Sequence, residues 1–466
     1  MQIPILSGIY ADEVADFRTA YPVNMVPVPK STGISSGYLR PAEGAVKIGT
    51  GPGIPRGGIN WNGECYRVMG TKLVRVAADG AVTVLGDVGT GGQCTFDYSF
   101  DRLAIASGGR LYYWDGTLLT QVTDPDLGTV LSVRWVDGYF MTTDGTYLII
   151  TELNNPLSVN PLKYGSSEID PDPIQAVLKL RNEINAVNRY TIEVFDNVGG
   201  DTFPFERIEG AQIQKGAIGT HATCIFSEFV AFLGSGRNEP PGVYLGANAS
   251  ANKISTREID ALLAGYSSTE LADVVLESRA NQAHQHLWIR LPDRTLVYDL
   301  AASQVIGESV WFQLTSAQEG FSTYKAADLV WCHDSWMVAD PESYDVGVLD
   351  ASTARHFGEV VRWEFNTAIA YNEGRGVLFH SLELVCLTGR VETGEDPYIS
   401  TSYSVDGETW SQDRPIRAGT RGERTRRLAW FQQGHMASWR IQRFRGDSRA
   451  LLSVARLEAV MEPLTV

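Results

Sequence analysis

The stretch DRLAIASGGRLYYWDGTLLTQV, residues 101–122, shows the pattern that decides the fold. Two short runs alternate apolar and polar residues, and Gly and Asp residues supply the turns, which is the chemistry of a β-hairpin. Comparable units recur along the chain with low sequence identity, beginning at Glu64, Asp101, Asp137, Asn188, Ser227, His284 and Asp334. The spacing between the starts of these seven units predicts an all-β, propeller-like body of about seven hairpin-based blades. A stacked array of β-sandwiches is the structural alternative.

One apolar residue in each unit falls on an inner or middle strand of its blade. We expect these side chains to be largely buried, because a propeller blade packs both faces against its neighbours. They are Tyr66, Leu103, Phe140, Ile192, Val230, Leu287 and Met337.

The composition also favours an all-β protein. The chain has 466 residues, of which 44% are hydrophobic, 20% charged and 10% aromatic, with 46 glycines, and long helical runs are few. The net charge of −16 argues against an electropositive nucleic-acid clamp over most of the surface. The five cysteines lie far apart without a C-x-x-C pair, which favours buried free thiols over disulfides or a zinc site.

Neither end of the chain nor its interior carries a membrane signal. The start, MQIPILSGIYADEVADF, lacks the basic region and apolar core of a signal peptide. No apolar run approaches the roughly 20 residues that a membrane helix requires. We therefore expect a protein that is made and folded in a cytoplasm.

Three regions are expected along the chain. Residues 1–56 form an N-terminal extended strap, because prolines such as Pro27 and Pro29 exclude a helix or a central strand there. Residues 57–356 form the propeller-like body. Residues 357–466 contain alternating strands with Gly and Asp turns and form a C-terminal β-sandwich.

A small helical insertion interrupts the body at residues 255–280, where apolar residues recur at helical spacing. Ser255 and Glu258 would form a capping box, and Ser268 would begin a second helix. Two short helices at this point would lie on one rim of the ring.

Motifs for catalysis, cofactors and metals are not persuasive. The stretch SVDGETW, residues 404–410, resembles the Asp-box turn of sialidases, which carries no catalysis. His284 and His286 point to the same side of a strand, as two metal ligands would, but no third His or Cys is nearby. A phosphate-binding loop and a G-x-S-x-G elbow are absent. The sequence therefore predicts a structural or binding protein with no catalytic residue, no cofactor and no metal.

An arginine-rich stretch near the C-terminus stands out in this acidic chain, with ten arginines between residues 414 and 449. Three interpretations are open: solvated strand faces, pairing with an acidic subunit or partner, and contact with a nucleic-acid backbone. In the strand WRIQRFR, residues 439–445, alternation places Arg443 and Arg445 on one face and Arg440 on the other. The interface candidates in this stretch are Arg421, Arg424, Arg426, Arg427 and Arg443.

Several motifs, in order along the chain, resemble those of the packaged-DNA stabilisation proteins, the tail hubs of short-tailed phages similar to P22. They are YPVNMVPVPK from residue 21, SSGYLRPAEG from 35, YRVMGTKL from 66, GDVGTGG from 86, QKGAIGTH from 214, REIDALLAGYSSTEL from 257 and LPDRTLVYDLAASQ from 291. The resemblance covers residues 21–304 in patches. In the C-terminal region only the general β pattern matches.

The resemblance implies a structural virion protein of the phage tail, synthesised in the host cytoplasm. It implies a hexameric ring at the distal end of the portal and its adaptor ring. The ring would help to close the DNA exit channel, and would carry the tail needle and, in some phages, tailspikes or fibres. An acidic conduit would let packaged DNA slide without sequence-specific contact. The strap would wrap across blades or a neighbouring subunit, with Tyr21, Pro22, Met25, Tyr38 and Leu39 as its interface candidates.

The alternative function is that of a phage-associated propeller glycosidase acting on cell-surface polysaccharide. Such an enzyme needs two carboxylates with separated pKa values, and the 55 Asp and Glu residues of the chain leave such a pair open. Release of reducing sugars would identify the enzyme, whereas closed rings that bind portal-adaptor assemblies would identify the hub.

Overall fold

Seven antiparallel sheets arranged in a ring form a β-propeller, and two further sheets form a β-sandwich. The computed structural model describes residues 2–6, 8–11, 17–153, 155–200 and 202–464. The all-β prediction and the preference for a propeller over a stacked array of sandwiches are both confirmed.

The N-terminal segment contributes strands to several sheets. These strands are β1 (Gln2–Ile3), β2 (Gly8–Ala11), β3 (Phe17–Ala20), β4 (Met25–Pro29), β5 (Gly37–Pro41) and β6 (Gly44–Thr50). β2 and β3 pair only with each other, β1, β4 and β5 join a sandwich sheet, and β6 joins the propeller.

Every blade is antiparallel, and six of the seven are made of strands consecutive in sequence. Blade 1 contains β7 (Pro55–Trp61), β8 (Glu64–Met69), β9 (Lys72–Val76) and β10 (Val82–Asp87), and blade 2 contains β11 (Thr95–Tyr98), β12 (Leu103–Ser107), β13 (Arg110–Trp114) and β14 (Leu119–Gln121). Blade 3 contains β15 (Ser132–Val136), β16 (Tyr139–Thr143), β17 (Tyr147–Glu152) and β18 (Asn155–Ser166). Blade 4 contains β19 (Ile174–Leu180), β20 (Glu183–Asn188), β21 (Ile192–Asn197) and β22 (Phe205–Ile213).

Blade 5 has five strands because two short segments pair with the same neighbour. Its strands are β23 (Gly216–Ala217), β24 (Thr223–Phe226), β25 (Phe229–Ser235), β26 (Gly242–Ala247) and β27 (Ser250–Lys253). Blade 6 contains β28 (Val275–Asn281), β29 (His284–Arg290), β30 (Thr295–Asp299) and β31 (Val310–Leu314). Blade 7 contains β32 (Ala327–Cys332), β33 (Ser335–Ala339) and β34 (Asp345–Asp350), with β6 as its fourth strand.

The ring closes through both ends of the propeller sequence. The innermost strands contact one another in a cycle, β7, β11, β15, β19, β24, β28, β32 and back to β7. The outer strand of blade 7 is β6, which pairs antiparallel with β34 so that Val46 lies opposite Val348. The propeller therefore includes residues that the sequence analysis assigned to the strap. That assignment missed β6 because the partner of β6 lies at the other end of the propeller sequence.

Alternation along the central strands explains why the blades pack on both sides. In blade 2, Leu103 and Ile105 face blade 1, while Ala104 and Ala106 face blade 3. Each of the seven boundaries between blades has its own cluster of buried apolar side chains. The seven side chains predicted to be buried are all buried, and all lie on the second or third strand of the blade path.

Three α-helices are described: α1 (Arg257–Leu263), α2 (Ser268–Ala272) and α3 (Leu300–Ile306), with a 3-10 turn at Pro125–Leu127. None of the described helices is long and apolar enough to cross a membrane.

The predicted insertion between blades 5 and 6 exists, but its capping and extent differ from the prediction. Thr256, not Ser255, precedes α1, and it makes no side-chain cap. The capping box belongs to α2, where the Ser267 side chain accepts from the Glu270 amide and Glu270 accepts from the Ser267 amide. Val275 already begins strand β28, and its neighbours Val274 and Leu276 pack in the apolar cluster between blades 5 and 6.

The sandwich combines strands from both ends of the chain. One sheet has the order β4-β5-β43-β37-β40 with β1 and β41 attached, and the other has the order β35-β42-β38-β39 with β36 attached. The C-terminal strands are β35 (Arg362–Asn366), β36 (Ala370–Tyr371), β37 (Val377–Leu387), β38 (Tyr398–Ser404), β39 (Arg414–Arg417), β40 (Leu428–Phe431), β41 (His435–Met436), β42 (Trp439–Asp447) and β43 (Ser453–Pro463).

The segment expected to be an extended strap contains the paired strands β4, β5 and β6, and the exclusion of a central strand there is wrong for β5, which lies between β4 and β43. The prolines are compatible with β4 because β4 is the edge strand of its sheet. Pro27 and Pro29 therefore leave no ladder hydrogen bond unmade on the outer side.

Residues just before β4 join the propeller to the sandwich. Val23 forms β-bridges with Gln313 in blade 6 and with Glu364 in the sandwich. The side-chain Nδ2 of Asn24 donates to the backbone carbonyl oxygen of Thr315 at 2.9 Å and also to that of Arg362 in β35. The N-terminal segment thus contacts both the propeller and the sandwich of its own chain.

Candidate assembly surfaces

A connected cluster of charged side chains lies on the first and second strands of the blades, near the centre of the propeller. Both carboxylate oxygens of Asp328 accept hydrogen bonds, Oδ1 from Arg290 and Gln93 at 2.8 Å each and Oδ2 from the Gly57 amide at 3.1 Å. Arg67 donates to the Asp328 carbonyl oxygen at 2.9 Å. Blades 1, 2, 6 and 7 are therefore cross-linked by polar contacts near the axis.

Burial and pairing set the protonation of this cluster. Burial raises the pKa of Glu277, in spite of the nearby Arg290 guanidinium. Burial acts in the same direction on Asp328, but the Arg290 and Arg67 guanidiniums outweigh it and hold the pKa of Asp328 below its usual value. Burial lowers the pKa of His221 to about 4. The cluster is an ion-pair network that fastens blades together.

An exposed loop between β39 and β40, residues 420–427, carries most of the predicted interface arginines, and we call it the basic loop. All of its arginines are exposed. They are Arg421, Arg424, Arg426 and Arg427.

The arginines of the basic loop differ in their partners. Arg427 donates from Nε and Nη2 to the Glu383 carboxylate at 2.8 and 2.5 Å. Arg421 donates to a threonine hydroxyl at 2.5 Å. Within the described parts of the chain, Arg424 and Arg426 form no ion pair. These two guanidiniums are available for an external anion or carboxylate.

The backbone of the basic loop is held by neighbouring residues. Gly422 donates its amide to the Gly389 carbonyl oxygen at 3.0 Å, and Thr388 donates its hydroxyl to the Glu423 carbonyl oxygen at 3.1 Å. The Thr420 amide donates to the Glu423 carboxylate at 2.9 Å. The arginines are thus presented on an anchored loop.

A groove, which we call the hairpin groove, leads from the basic loop to β5. The part next to the loop, about 520 Å³, is lined by Arg421 and Arg424. The part next to β5, about 510 Å³, is lined by Tyr38 and Leu387, of which Leu387 is exposed. Arg390 lines both parts. The fold therefore brings together interface candidates from the two ends of the sequence.

A second cleft, the interdomain cleft, lies between α1, blade 6 and the sandwich and has a volume of about 530 Å³. Tyr21 and Arg443 both line it. The Arg443 guanidinium lies 4.1 Å from the centre of the Trp410 ring, and Arg294 lies 3.6 Å from that of Phe321. Stacked guanidiniums of this kind tolerate partial burial at an interface.

Three of the predicted strap contacts are internal. Met25 and Leu39 are fully buried in the sandwich core, and Pro22 is buried beside blade 6, where its carbonyl oxygen accepts from the Gln313 amide at 2.8 Å. Met25 and Leu39 complete the hydrophobic packing of their own chain. Tyr21 and Tyr38 are half-buried and line the two surfaces described above.

Arg440 is also internal. The expected alternation holds, but the face of β42 that carries Arg440 is the sandwich core. Its guanidinium donates to the Gln433 carbonyl oxygen at 2.6 Å and lies 3.8 Å from the centre of the Tyr403 ring. Burial lowers the pKa of Arg440 to about 10. None of the three interpretations of the arginine stretch applies to this residue.

The two histidines singled out in the sequence acquire a third polar neighbour. Asp299 on β30 lies directly opposite His286 on β29. Its Oδ2 atom is 2.5 Å from His284 Nδ1 and 3.4 Å from His286 Nε2. Burial would raise the pKa of Asp299, but the hydrogen bond with His284 and the adjacent His286 imidazole hold it well below its usual range. Sequence spacing gave no signal for this grouping, because Asp299 comes from the next strand.

Two family models match the chain. One, described as Bacteriophage P22 Gp10, beta-propeller, matches residues 1–354, and the other, described as Bacteriophage P22 Gp10, beta-sandwich, matches residues 362–462. The chain belongs to the bacteriophage P22 Gp10 family. The resemblance drawn from the sequence motifs is confirmed, and the family match extends over the sandwich, where those motifs did not reach.

A curated relative in the Gp10 family is 27% identical over 457 residues, which cover 93% of this chain and 94% of the relative. It is the tail hub protein gp10 of Salmonella phage P22. Among solved structures, the Pan2 WD40 domain of Neurospora crassa is 11% identical, with a TM-score of 0.42 over 66% of this chain and 95% of that one. PorZ of Porphyromonas gingivalis is 12% identical, with a TM-score of 0.40 over 81% and 46%. Likenesses this distant support no further argument.

Proposed function

We propose that this protein is a tail hub, a structural and non-enzymatic component of a phage virion. Membership of the Gp10 family and the relative named as a tail hub protein support this role. In the proposed assembly, copies form a ring, a hexamer by resemblance, below the portal and its adaptor. The ring helps to retain packaged DNA and attaches the tail needle and the tailspikes or fibres.

The basic loop is the observation that carries the assembly proposal. Arg424 and Arg426 are exposed and form no ion pair among the described residues, although the chain as a whole has a charge of −16. In a ring, every subunit presents the same acidic surface to its neighbour. An anchored arginine loop beside a partly apolar groove suits such a neighbour, because arginine pairs with carboxylates while tolerating partial desolvation.

The charged cluster at the centre of the propeller bears on the path of DNA. Because side chains from several blades meet at Asp328, the innermost strands are joined to one another across blade boundaries. We therefore place the DNA path in the centre of the ring of subunits, not along the axis of a single propeller. The acidic net charge would keep DNA from binding to the walls of that path.

Charge reversal in the basic loop tests the proposal. The double variant Arg424→Glu/Arg426→Glu is expected to fold as the parent does but to form few rings and to bind the portal adaptor weakly, as measured by negative-stain imaging and sedimentation. A matched control is Arg110→Glu/Arg375→Glu, which changes the charge equally at exposed positions on blade 2 and in the sandwich, where neither arginine forms an ion pair among the described residues. Normal rings that retain packaged DNA poorly would assign the basic loop to DNA instead, and normal rings with normal retention would make it solvated surface.

Glu277 and Asp328 are a candidate pair of carboxyl groups for the alternative glycosidase. The pKa of Glu277 is raised and that of Asp328 is lowered, as general acid–base chemistry requires. Both groups are buried, however, and they are bonded to arginine and backbone groups. We propose that they are structural, and expect the purified protein to release no reducing sugar from host polysaccharide. Release that disappears in Glu277→Gln would establish the enzyme.

A further inference from the structure

The side chains of His284, His286 and Asp299 converge inside blade 6. The two histidines alternate on β29 and therefore point to the same face, with their ring centres 5.2 Å apart. Asp299 reaches the same point from β30, where it is the register partner of His286. Among the described residues, this is the group whose three ligand-type atoms all lie within 4.8 Å of one another.

The spacing of these atoms is close to that of a tetrahedral metal site. Zinc binds imidazole nitrogen at about 2.0–2.1 Å and carboxylate oxygen at about 2.0–2.2 Å, which separates neighbouring ligand atoms by about 3.3 Å. The distance between Asp299 Oδ2 and His286 Nε2 is 3.4 Å. The distance between Asp299 Oδ2 and His284 Nδ1 is 2.5 Å, so the His284 ring would swing outward by less than an ångström.

The burial of these three side chains is a second, independent observation that points to a bound cation. All three residues are more than nine-tenths buried, and His286 Nε2, which faces the carboxylate at the long distance of 3.4 Å, has no hydrogen-bond partner among the residues that the structure describes. A buried imidazole nitrogen without a partner loses the hydrogen bond that it would make in water. A cation between the three groups would supply the missing partner.

The surroundings hold the carboxylate in place. The second oxygen, Asp299 Oδ1, accepts from the Ala302 amide at 3.1 Å and from the Gln285 amide at 3.4 Å, which orients Oδ2 toward the histidines. Arg279, the register partner of His286 on β28, is paired with Glu43. His284 directly follows the exposed two-residue turn between β28 and β29.

We propose that His284, His286 and Asp299 form a structural site for a divalent transition-metal ion of the zinc class. Two imidazoles and one carboxylate suit zinc, whereas calcium and magnesium prefer oxygen ligands throughout. The ion would fasten β29 to β30 and to the start of α3, with water as the fourth ligand. Blade 6 is also the blade that bridges to the sandwich through Val23, so the ion would reinforce the blade at the junction of the two bodies.

Cobalt substitution tests the site in the full-length protein. After removal of metals with a chelator, CoCl₂ and ZnCl₂ are titrated and followed by visible absorption, calorimetry and thermal unfolding. We expect one equivalent to bind, with the visible bands of tetrahedral Co²⁺ and no thiolate-to-cobalt charge-transfer band, since the ligand set contains no cysteine. The unfolding temperature should rise with the metal concentration.

The variant His286→Gln should lose at least about 100-fold in affinity for both ions, because even changes outside the ligand shell cost about 10–100-fold. The control His435→Gln removes an exposed histidine and should bind as the parent does. If His286→Gln does not fold, the spectrum of the parent protein decides alone. Absence of a tetrahedral spectrum, a spectrum dominated by thiolate bands, or unchanged binding by His286→Gln would overturn the site and leave a hydrogen-bonded His–Asp–His cluster.

Discussion

The propeller and the sandwich are built from the chain in opposite ways. Six of the seven blades are made of consecutive strands, so their pairing is local in sequence. The sandwich instead pairs β5 with β43, and therefore joins residues from the two ends of the chain. The N-terminal segment serves both bodies, since β4 and β5 extend the sandwich and β6 closes the propeller. We therefore expect this segment to be needed for folding of both bodies.

The strongest test of this difference is to separate the bodies. A fragment of residues 357–466 is expected not to fold, because its larger sheet would lack β1, β4 and β5 and expose the apolar core that includes Phe379 and Leu457. Dispersed amide signals and a cooperative thermal transition from this fragment would contradict the expectation. Adding residues 21–43 as a separate peptide should restore part of the structure, whereas a scrambled peptide should not.

Truncation of one core side chain in each body tests whether the propeller and the sandwich unfold together. Phe444→Ala in the sandwich and Phe140→Ala in the propeller should each lower the free energy of unfolding by about 3–5 kcal/mol, because both phenylalanines are buried within apolar clusters. Denaturant unfolding measures the loss. If the joined bodies unfold as one unit, the two variants shift a single transition equally. A shift confined to one of two transitions would show that Val23 and Asn24 couple the bodies only weakly.

Acid should destabilise the fold through a buried histidine. His356 lies on the segment that connects blade 7 to the sandwich in sequence and contacts Ser316 and Tyr324, and burial lowers its pKa from 6.5 to about 3. Above pH 6.5 the imidazole is neutral in both states. As the pH falls below 6.5, the unfolded chain binds a proton that the folded chain does not, so stability declines progressively until about pH 3. The loss at about pH 4.5 should reach up to about 3 kcal/mol.

Equilibrium unfolding as a function of pH, on the parent and on His356→Gln, checks this sign. The variant should lose part of the dependence and keep the part that His221 contributes, since the pKa of His221 is lowered to about 4. A stability that rises between pH 6.5 and 4.5 would contradict the assignment. His435→Gln, at an exposed position, is the control that should change nothing.

The smallest effect on the free energy of unfolding is expected for a substitution on the surface of the sandwich. Arg427→Ala removes an exposed ion pair with Glu383 and should change the free energy of unfolding by less than about 1 kcal/mol. The same measurement on Glu383→Ala should give a similar value. A larger loss in either variant would mean that the basic loop stabilises the sandwich as well as presenting arginines.

Local pattern was enough to predict the blades. Alternation around Leu103 and the turns beside it specify a hairpin, and the repetition of such hairpins specifies a propeller, because every strand pairs with its neighbour in sequence. The helices α1 and α2 were also predicted, within a few residues, from the 3.6-residue period. α3 was missed, since its short run continues the apolar pattern of β30.

By itself the sequence determined the all-β class, the propeller, the C-terminal sandwich and the arginine-rich surface, because each depends on contacts within one short segment or on charge. Only the tertiary structure decided that β6 closes blade 7, that Met25 and Leu39 are core residues, and that Tyr38 lines one part of a groove whose other part is lined by Arg421 and Arg424. It also decided that Asp299 meets His284 and His286. These arrangements join residues that are distant in sequence or lie on different strands, and their partners are selected by burial of apolar surface and by ladder pairing, which no local pattern encodes.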